Sequence, residues 1–388
     1  MNTTNLTRRD MVTGMVATSG VMAKPAVATH QKTWHSRWTP VDAAIDRALE
    51  ARAVPGAVVM ICKGDETLYA RAAGRANFET STPMALGSVC RIGSVTKQFT
   101  AAAILLLAMD GKLSLDDPLS RFIPEFPKAD RISLRRMLNH TSGLGNYTSV
   151  KLEQFLQDSR LDYDEGALLK VIEGTNPLFL FDPGDDWSYS NSDYVLLGIV
   201  VKRASGQSYK AFLRSRLFAP HGLSDTSADN ASDIVLNRAS GYSPDSNTPT
   251  GFRNASFISM TYPGGAGALR STAPDLCRWS SALHSGKVLR REDLKAMLTP
   301  GTLSDGSVPR AKRAPGTPKI LYGFGVGLDR VRGHFEVAHQ GGIQGFYADL
   351  RTYPELGVTF AILINGDGIA GAKPSGTISS AIQNVLLA

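Results

Sequence analysis

Residues 91–112 read RIGSVTKQFTAAAILLLAMDGK, and in them Ser94 stands three residues ahead of Lys97, where a long apolar segment begins. Residues i and i+3 of a helix share a face, so this spacing brings the Lys97 amine within reach of the Ser94 hydroxyl. From Phe99 to Met109 the only polar residue is Thr100, and a helix that is apolar all round belongs inside a fold. The amino end of such a helix presents unpaired N–H groups and the positive end of the helix dipole, which suit negative charge developing on an oxygen. Gly93 lets the backbone turn tightly just before the serine. Taken alone, the same residues also describe a core helix with a capping serine.

A serine hydroxyl is a weak nucleophile, so a catalytic reading requires a base, an orienting group and an oxyanion hole to converge on it. Lys97 serves as base only when neutral, and burial lowers a lysine from its reference value of about 10.4 by up to roughly 3 to 5 units. Two other places in the chain offer partners. The loop WSYSNSD, residues 187–193, supplies a phenol at Tyr189 and an amide at Asn191. Tyr189 can pass a proton between Ser94 and a leaving group, and Asn191 can bond a substrate carbonyl. The alternative is helix capping by Asn191 or Ser192, with Tyr189 as a packing aromatic. The second place is HQGG, residues 339–342, at the end of an expected strand. Paired glycines at 341 and 342 allow close backbone approach, so the Gly342 N–H can join that of Ser94 in an oxyanion hole. His339 can bind an anionic group or tune Lys97 and Tyr189; a plain glycine-rich hairpin turn is the competing reading.

The chain has 388 residues, 43% of them hydrophobic and 20% charged, enough for one large or two interlocked domains. Residues 1–28 read as a leader and not as folded body. Arg8 and Arg9 precede a weakly apolar, glycine-containing segment that ends in Ala26-Val27-Ala28, the pattern of a twin-arginine export signal with a cleavage site after Ala28. The segment is too short and too poor in large apolar residues to span a bilayer stably. The expected location is therefore exported and periplasmic. Without Arg8, Arg9, Lys24 and Asp10, the net charge of +7 falls to +5. That balance is modest, and no basic run with interleaved aromatics marks a nucleic-acid groove. The three cysteines are far apart and allow at most one bridge, while neither they nor the seven histidines show metal-ligand spacing. No metal or other cofactor is expected.

Patterning along the body places strands at both ends and helices between. Residues 41–53 read as an amphipathic helix, and 57–62 with 67–72 as a hairpin about the turn at 63–66. Helical patterns follow at 133–139, 152–157, 165–173, 193–204 and 209–217. Short strands at 324–328, 335–338, 345–352 and 358–364 then suggest an antiparallel meander, closed by a helix at 378–387. The expected fold is α+β, an antiparallel sheet flanked by helices. Its α/β part covers about 40–112 and 271–388, with a mostly helical insertion at about 113–270, all within a body of 29–388. The basic, Pro- and Gly-rich stretch 302–319 reads as a mobile surface loop.

The S-x-x-K at 94–97, the Y-x-N at 189–191 and the histidine-glycine strand motif at 339–342, in this order, resemble the serine β-lactamase and penicillin-binding superfamily. The likeness is to its class C β-lactamase, D-aminopeptidase and family VIII esterase branch. Each of the first two motifs occurs once in the chain. LNHTSGL at 138–144 and GGAGALRST at 264–272 with Asp275 also look like this family. The resemblance implies a β-lactamase/transpeptidase-like fold with the site in a cleft. It further implies that Ser94 is the acylated nucleophile, that Lys97 and Tyr189 share the proton traffic, that Asn191 orients substrate, and that Ser94 and Gly342 N–H groups form the oxyanion hole. His140 reads as structural. The chain departs from the K-T-G of β-lactamases by carrying His339-Gln340-Gly341, which looks more like the D-aminopeptidase and esterase members. The implied activity is a serine hydrolase acting on a small-molecule or peptide amide or ester: a D-amino-acid peptide, a cell-wall fragment or a β-lactam-like compound. The alternatives are an S-x-x-K carboxylesterase and a penicillin-binding sensor that does not turn over.

Overall fold

The computed structural model describes residues 36–309, 321–367 and 375–388. The leader at 1–28, and all of the 302–319 stretch beyond residue 309, lie outside the described residues. The chain begins with helix α1 (Thr39–Glu50) and the hairpin β1 (Gly56–Lys63) and β2 (Glu66–Asn77), followed by the short strands β3 (Thr82–Pro83) and β4 (Cys90–Arg91) and by helix α2 (Thr96–Met109). The middle holds α3 (Leu134–Leu138), α4 (Leu152–Asp158), α5 (Glu165–Glu173), α6 (Asn191–Ser205) and α7 (Tyr209–Leu213). The strands β5 (Ser227–Ala228), β6 (Tyr242–Pro244) and β7 (Phe252–Asn254) come next. The short helix α8 (Gly264–Gly267), β8 (Leu269–Ser271), α9 (Ala273–His284) and α10 (Arg291–Met297) lead to the final strands. These are β9 (Leu321–Tyr322), β10 (Gly327–Val331), β11 (His334–Ile343), β12 (Phe346–Tyr353) and β13 (Val358–Ile364), and helix α11 (Gly376–Leu386) follows.

The two ends of the chain meet in one antiparallel sheet of eight strands, in the order β3-β2-β1-β13-β12-β11-β10-β9. Pairing of β1 with β13, from Ala57 opposite Ile364 to Lys63 opposite Val358, joins the hairpin to the meander as the patterning led us to expect. β13 carries VTFAILI, buried at every position, as a central strand covered on both faces should be.

The period-2 alternation of a strand decides which layer each residue meets. In β12, Asp349 and Tyr353 face α11: the Asp349 carboxylate accepts from Ser375 and Ser379 Oγ at 3.0 and 2.8 Å, and the Tyr353 hydroxyl accepts from Gln383 Nε2 at 3.0 Å. Thr352, of opposite parity, bonds Ser280 of α9 at 2.5 Å. α11 and α9 therefore cover opposite faces. α9 begins at Thr272, whose hydroxyl accepts from the Asp275 N–H, with Pro274 in its first turn. Neither this amphipathic segment nor α10 is among the helices expected from patterning.

α2 passes through the interior, buried from Thr96 to Leu107. Phe99 stacks on Trp279 of α9 at 4.2 Å between centroids, and the Trp279 indole N–H donates to Gln98 Oε1 at 3.2 Å. Just before α2, a small sheet in the order β4-β8-β5 fixes the approach to Ser94. Its sequence signal is weak because the strands are two or three residues long, but a charge cluster secures it. Arg91, Arg238 and Arg270 surround the buried Asp229 carboxylate at 2.8, 2.9 and 3.1 Å. Burial opposes this charge, but Arg91 and Arg238 more than offset it and hold the carboxyl below the usual range.

Candidate active site

Ser94 lies in a single 3-10 turn, Gly93–Val95, immediately before α2, so the i, i+3 relation to Lys97 holds although the serine precedes the helix proper. Gly93 has φ +47°, the left-handed region that favours glycine, and a Cβ there would come within 3.0 Å of the Gly342 carbonyl oxygen. Gly341 is packed more tightly. A Cβ on it would stand 1.9 Å from Ile92 O and 2.8 Å from the Ser94 nitrogen. Only a glycine lets β11 run this close to the nucleophile turn. Gly342, the next residue along that strand, is exposed and lines the cavity beside Ser94.

Lys97 is fully buried, and its Nζ meets three oxygens: Ser94 Oγ at 3.1 Å, Asn191 Oδ1 at 2.8 Å and the Ala266 carbonyl at 2.9 Å. An ammonium has three protons for these three acceptors. A neutral amine keeps two protons, which the two carbonyl oxygens take, and turns its lone pair to the Ser94 hydroxyl. Both protonation states are thus satisfied without moving an atom. Burial drives the Lys97 amine well below the usual lysine range, and the Asp193 carboxylate pulls it partly back.

Tyr189 places its ring 4.7 Å from Lys97 Nζ. Burial pushes its phenol above the usual range, with the neighbouring Ser94 hydroxyl pulling it back. Asn191 opens α6, and its amide is held from both ends: Oδ1 accepts from Lys97 and Nδ2 donates to Thr148 Oγ1 at 3.0 Å. Ser94, Lys97, Tyr189, Asn191, Gly341 and Gly342, read from three separate stretches, come together here.

His339 is in the same neighbourhood, its ring 6.2 Å from that of Tyr189, but its setting differs from the expectation of an anion-binding group at a strand end. It sits inside β11, with Nδ1 2.6 Å from the Gln340 carbonyl and Nε2 2.9 Å from the Tyr322 hydroxyl. The carbonyl requires Nδ1 to carry the proton, so Nε2 accepts from Tyr322. Burial, and then the nearby Lys97 charge, push the ring down to about 3. A neutral imidazole cannot supply the fixed positive charge that a lysine would offer to a substrate carboxylate.

The patterning missed several groups. The Ala266 carbonyl belongs to α8, which the glycines of 264–267 make compact enough to pack on α6: a Cβ on Gly265 would meet the Tyr194 carbonyl oxygen at 2.5 Å. Asp193, Ser142 and His140 form a buried group behind Tyr189. Their signal is present in the family-like stretch 138–144, where His140 reads as structural, and in the WSYSNSD loop, where Asp193 has no expected role.

A cavity of about 360 Å³ opens beside Ser94, lined by Tyr147, Val150, Leu152, Phe155, Ile258, Tyr262 and Ile343 among others. No charged side chain is among the described residues that line it. Among the described residues there is no cluster of three or more metal-ligating side chains and no helix long and apolar enough to cross a membrane.

A Beta-lactamase family model matches residues 41–381. Penicillin-binding protein 4* of Bacillus subtilis strain 168 is 28% identical over 79% of this chain and 67% of its own length. Esterase EstB of Burkholderia gladioli is 37% identical over 48% of this chain and 50% of its own, so the chain spans about half of that relative. Among solved structures, D-amino acid amidase from Ochrobactrum anthropi SV3 superposes with a TM-score of 0.75 at 26% identity, over 90% of this chain and 99% of that one.

The environment of His339 makes a spectroscopic prediction. Its imidazole should stay neutral, with Nδ1 protonated, from about pH 5 to pH 8, because its folded value of about 3 lies below that window. Histidine ¹⁵N shifts followed across this range test it, and a His339 midpoint near 6.5 would contradict the structure. With the sheet, the three motifs and the family match in agreement, the chain belongs to the β-lactamase family and is a serine hydrolase of that fold.

Proposed function

We propose that this protein hydrolyses esters or amides whose acyl part is uncharged and apolar, through an acyl-enzyme on Ser94. The observation that carries this reading is the cavity beside Ser94, where aromatic and aliphatic side chains alternate with the uncharged polar groups of Thr148, Asn191 and Gln344 and no charged side chain is among the described lining residues. In the reaction, Ser94 Oγ bonds to the substrate carbonyl carbon as its proton passes to the Lys97–Tyr189 pair. The carbonyl oxygen becomes an oxyanion facing the Ser94 and Gly342 N–H groups. Collapse breaks the bond to the leaving oxygen or nitrogen, which takes the proton back. A water molecule then attacks the ester carbon by the same proton route, and the acid leaves with Ser94–OH restored. Which of Lys97 and Tyr189 takes the first proton is a property of the coupled pair.

Within this reading, the neutral His339 supports substrates without a carboxylate next to the scissile bond, and so disfavours penicillins and peptides with a free carboxyl terminus. The likeness to esterase EstB and to D-amino acid amidase supports esters and D-amino-acid amides as the substrate classes to try. A free α-ammonium finds no anionic partner among the described cavity residues, so N-acylated amides and simple esters fit better than unblocked D-amino-acid peptides.

We further propose that the chain is exported with cleavage after Ala28. Arg8-Arg9, the weakly apolar segment and the small residues at 26–28 support this. Amino-terminal sequencing of the protein from an envelope fraction should begin at Thr29; a chain that keeps residues before it would overturn the cleavage.

Turnover of p-nitrophenyl esters, D-aminoacyl anilides and nitrocefin tests the substrate reading. Esters with medium-length apolar acyl groups should be the best substrates and nitrocefin the poorest, and Ser94→Ala should lower kcat by roughly 10⁴-fold or more. Efficient nitrocefin turnover with little ester hydrolysis would refute it.

A further inference from the structure

Tyr189 also lines a second cavity, of about 320 Å³, to which the mechanism above gives no task. Strand β11 relates this cavity to the one beside Ser94. β10 pairs with β11 only as far as Gly327 opposite Ala338, so β10 does not cover the edge of β11 from His339 onward. Along that edge His339 and Gln340 line the second cavity, Gly341 packs on the Ser94 turn, and Gly342 and Ile343 line the first. A substrate carbonyl at Ser94 thus has a cavity on either side. With the acyl part in the first, the rest of the substrate points past Tyr189, one of the pair that returns a proton to the leaving group.

The far part of the second cavity carries charge. Asp329 of β10 stands directly opposite Glu336 of β11, where like charges repel. Glu336 is already served, by Arg351 Nη1 at 3.1 Å and Gln383 Nε2 at 2.9 Å, and Arg351 also donates to Asp349 at 2.9 Å. Asp329 accepts the Arg330 N–H at 2.8 Å, and no Lys, Arg or His side chain among the described residues pairs with it. Asp329 and Glu336 against Arg351 leave the described lining at a net charge of −1, since the buried His339 ring is neutral. Nearer Ser94 the walls are aromatic: the Tyr322 ring lies 5.9 Å from that of Trp187 and 6.3 Å from that of Tyr189. Such ring faces attract a cation that has shed water. The Trp187 indole N–H is buried with no hydrogen-bond partner, a cost that a polar group entering the cavity can relieve.

We propose that this second cavity receives the leaving group of the substrate and selects one that ends in a cation, an alcohol or amine carrying an ammonium group. The inference rests on the Ser94 acyl-enzyme reading and names the half of the substrate that reading leaves open. From Gly341 to Glu336 the strand covers roughly 16 Å at about 3.3 Å per residue, so the cation sits on a tether of about six atoms or more. In acylation the C–O or C–N bond to this group breaks as the Ser94 ester forms. The proton from Ser94 goes to its oxygen or nitrogen, and the cationic alcohol or amine leaves through the second cavity while the uncharged acyl part stays on Ser94. The first cavity has no carboxylate among its described lining residues to hold the cation in its place.

The test compares kcat/KM for 6-(trimethylammonio)hexyl butyrate with that for its uncharged carbon isostere, 7,7-dimethyloctyl butyrate. The wild type should favour the cationic ester by about 10-fold or more. Asp329→Asn removes the unpaired carboxylate, so the ratio of the two should fall toward one. Trp187→Leu removes a ring face and should lower the ratio as well, and it decides the matter if the Asn variant does not fold. Reading the change in ratio between proteins cancels any intrinsic difference in reactivity between the esters. Suppose p-nitrophenyl butyrate is turned over but the two long esters are treated alike, the uncharged one is preferred, neither is accepted, or the preference survives in every folded variant: each of these overturns this inference alone. If no ester is turned over and a fluorophosphonate does not label Ser94, the acyl-enzyme reading falls and this inference with it.

Discussion

The three oxygens around the Lys97 amine are the constraint on which the site depends. A buried lysine costs free energy unless its protons are used, and here Ser94 Oγ, Asn191 Oδ1 and the Ala266 carbonyl use them. These partners come from the nucleophile turn, the start of α6 and the compact turn α8. One amine therefore ties together three parts of the chain that lie as far as 169 residues apart. Because the same three contacts satisfy either protonation state, proton transfer needs no rearrangement.

The rest of the fold keeps this arrangement in register. α2 is wedged between α9 and the helical region through Phe99, Trp279 and Gln98, so the turn at its amino end is fixed from behind. In front, β11 presses against the same turn at Gly341, a contact that leaves no room for a side chain. The arginine cluster around Asp229 holds the incoming strand β4. The nucleophile is thus clamped by helix, sheet and charge, while the cavity beside it stays open and carries no charged side chain among the described lining residues.

Much of this was legible in the sequence because the signals are local. The Ser94–Lys97 spacing, the apolar run that follows, the hairpin about residues 63–66 and the alternating strands near the carboxy terminus depend on neighbours in the chain. The joining of both chain ends into one sheet followed from strands at each end. The remainder was not legible because it is made of contacts between distant residues. His339 is neutral because burial pushes its ring down, and that burial comes from contacts no motif encodes. The role of Ala266 is played by a backbone carbonyl, which leaves no mark of residue type. Asp193 looked like one acidic residue in a polar loop, and only the folded chain buries it against Ser142 and His140. The two- and three-residue strands of the small sheet carry too few residues to show a period.

The central claim is that the Lys97 amine gives up its proton far more readily than an ordinary lysine and so can act as a base for Ser94. A direct measurement is the ¹⁵N shift of Lys97 Nζ in lysine-labelled protein, followed across pH and assigned with Lys97→Arg. The account predicts a midpoint well below the ordinary value of about 10.4. A Lys97 amine that remains an ammonium up to pH 10 would contradict it.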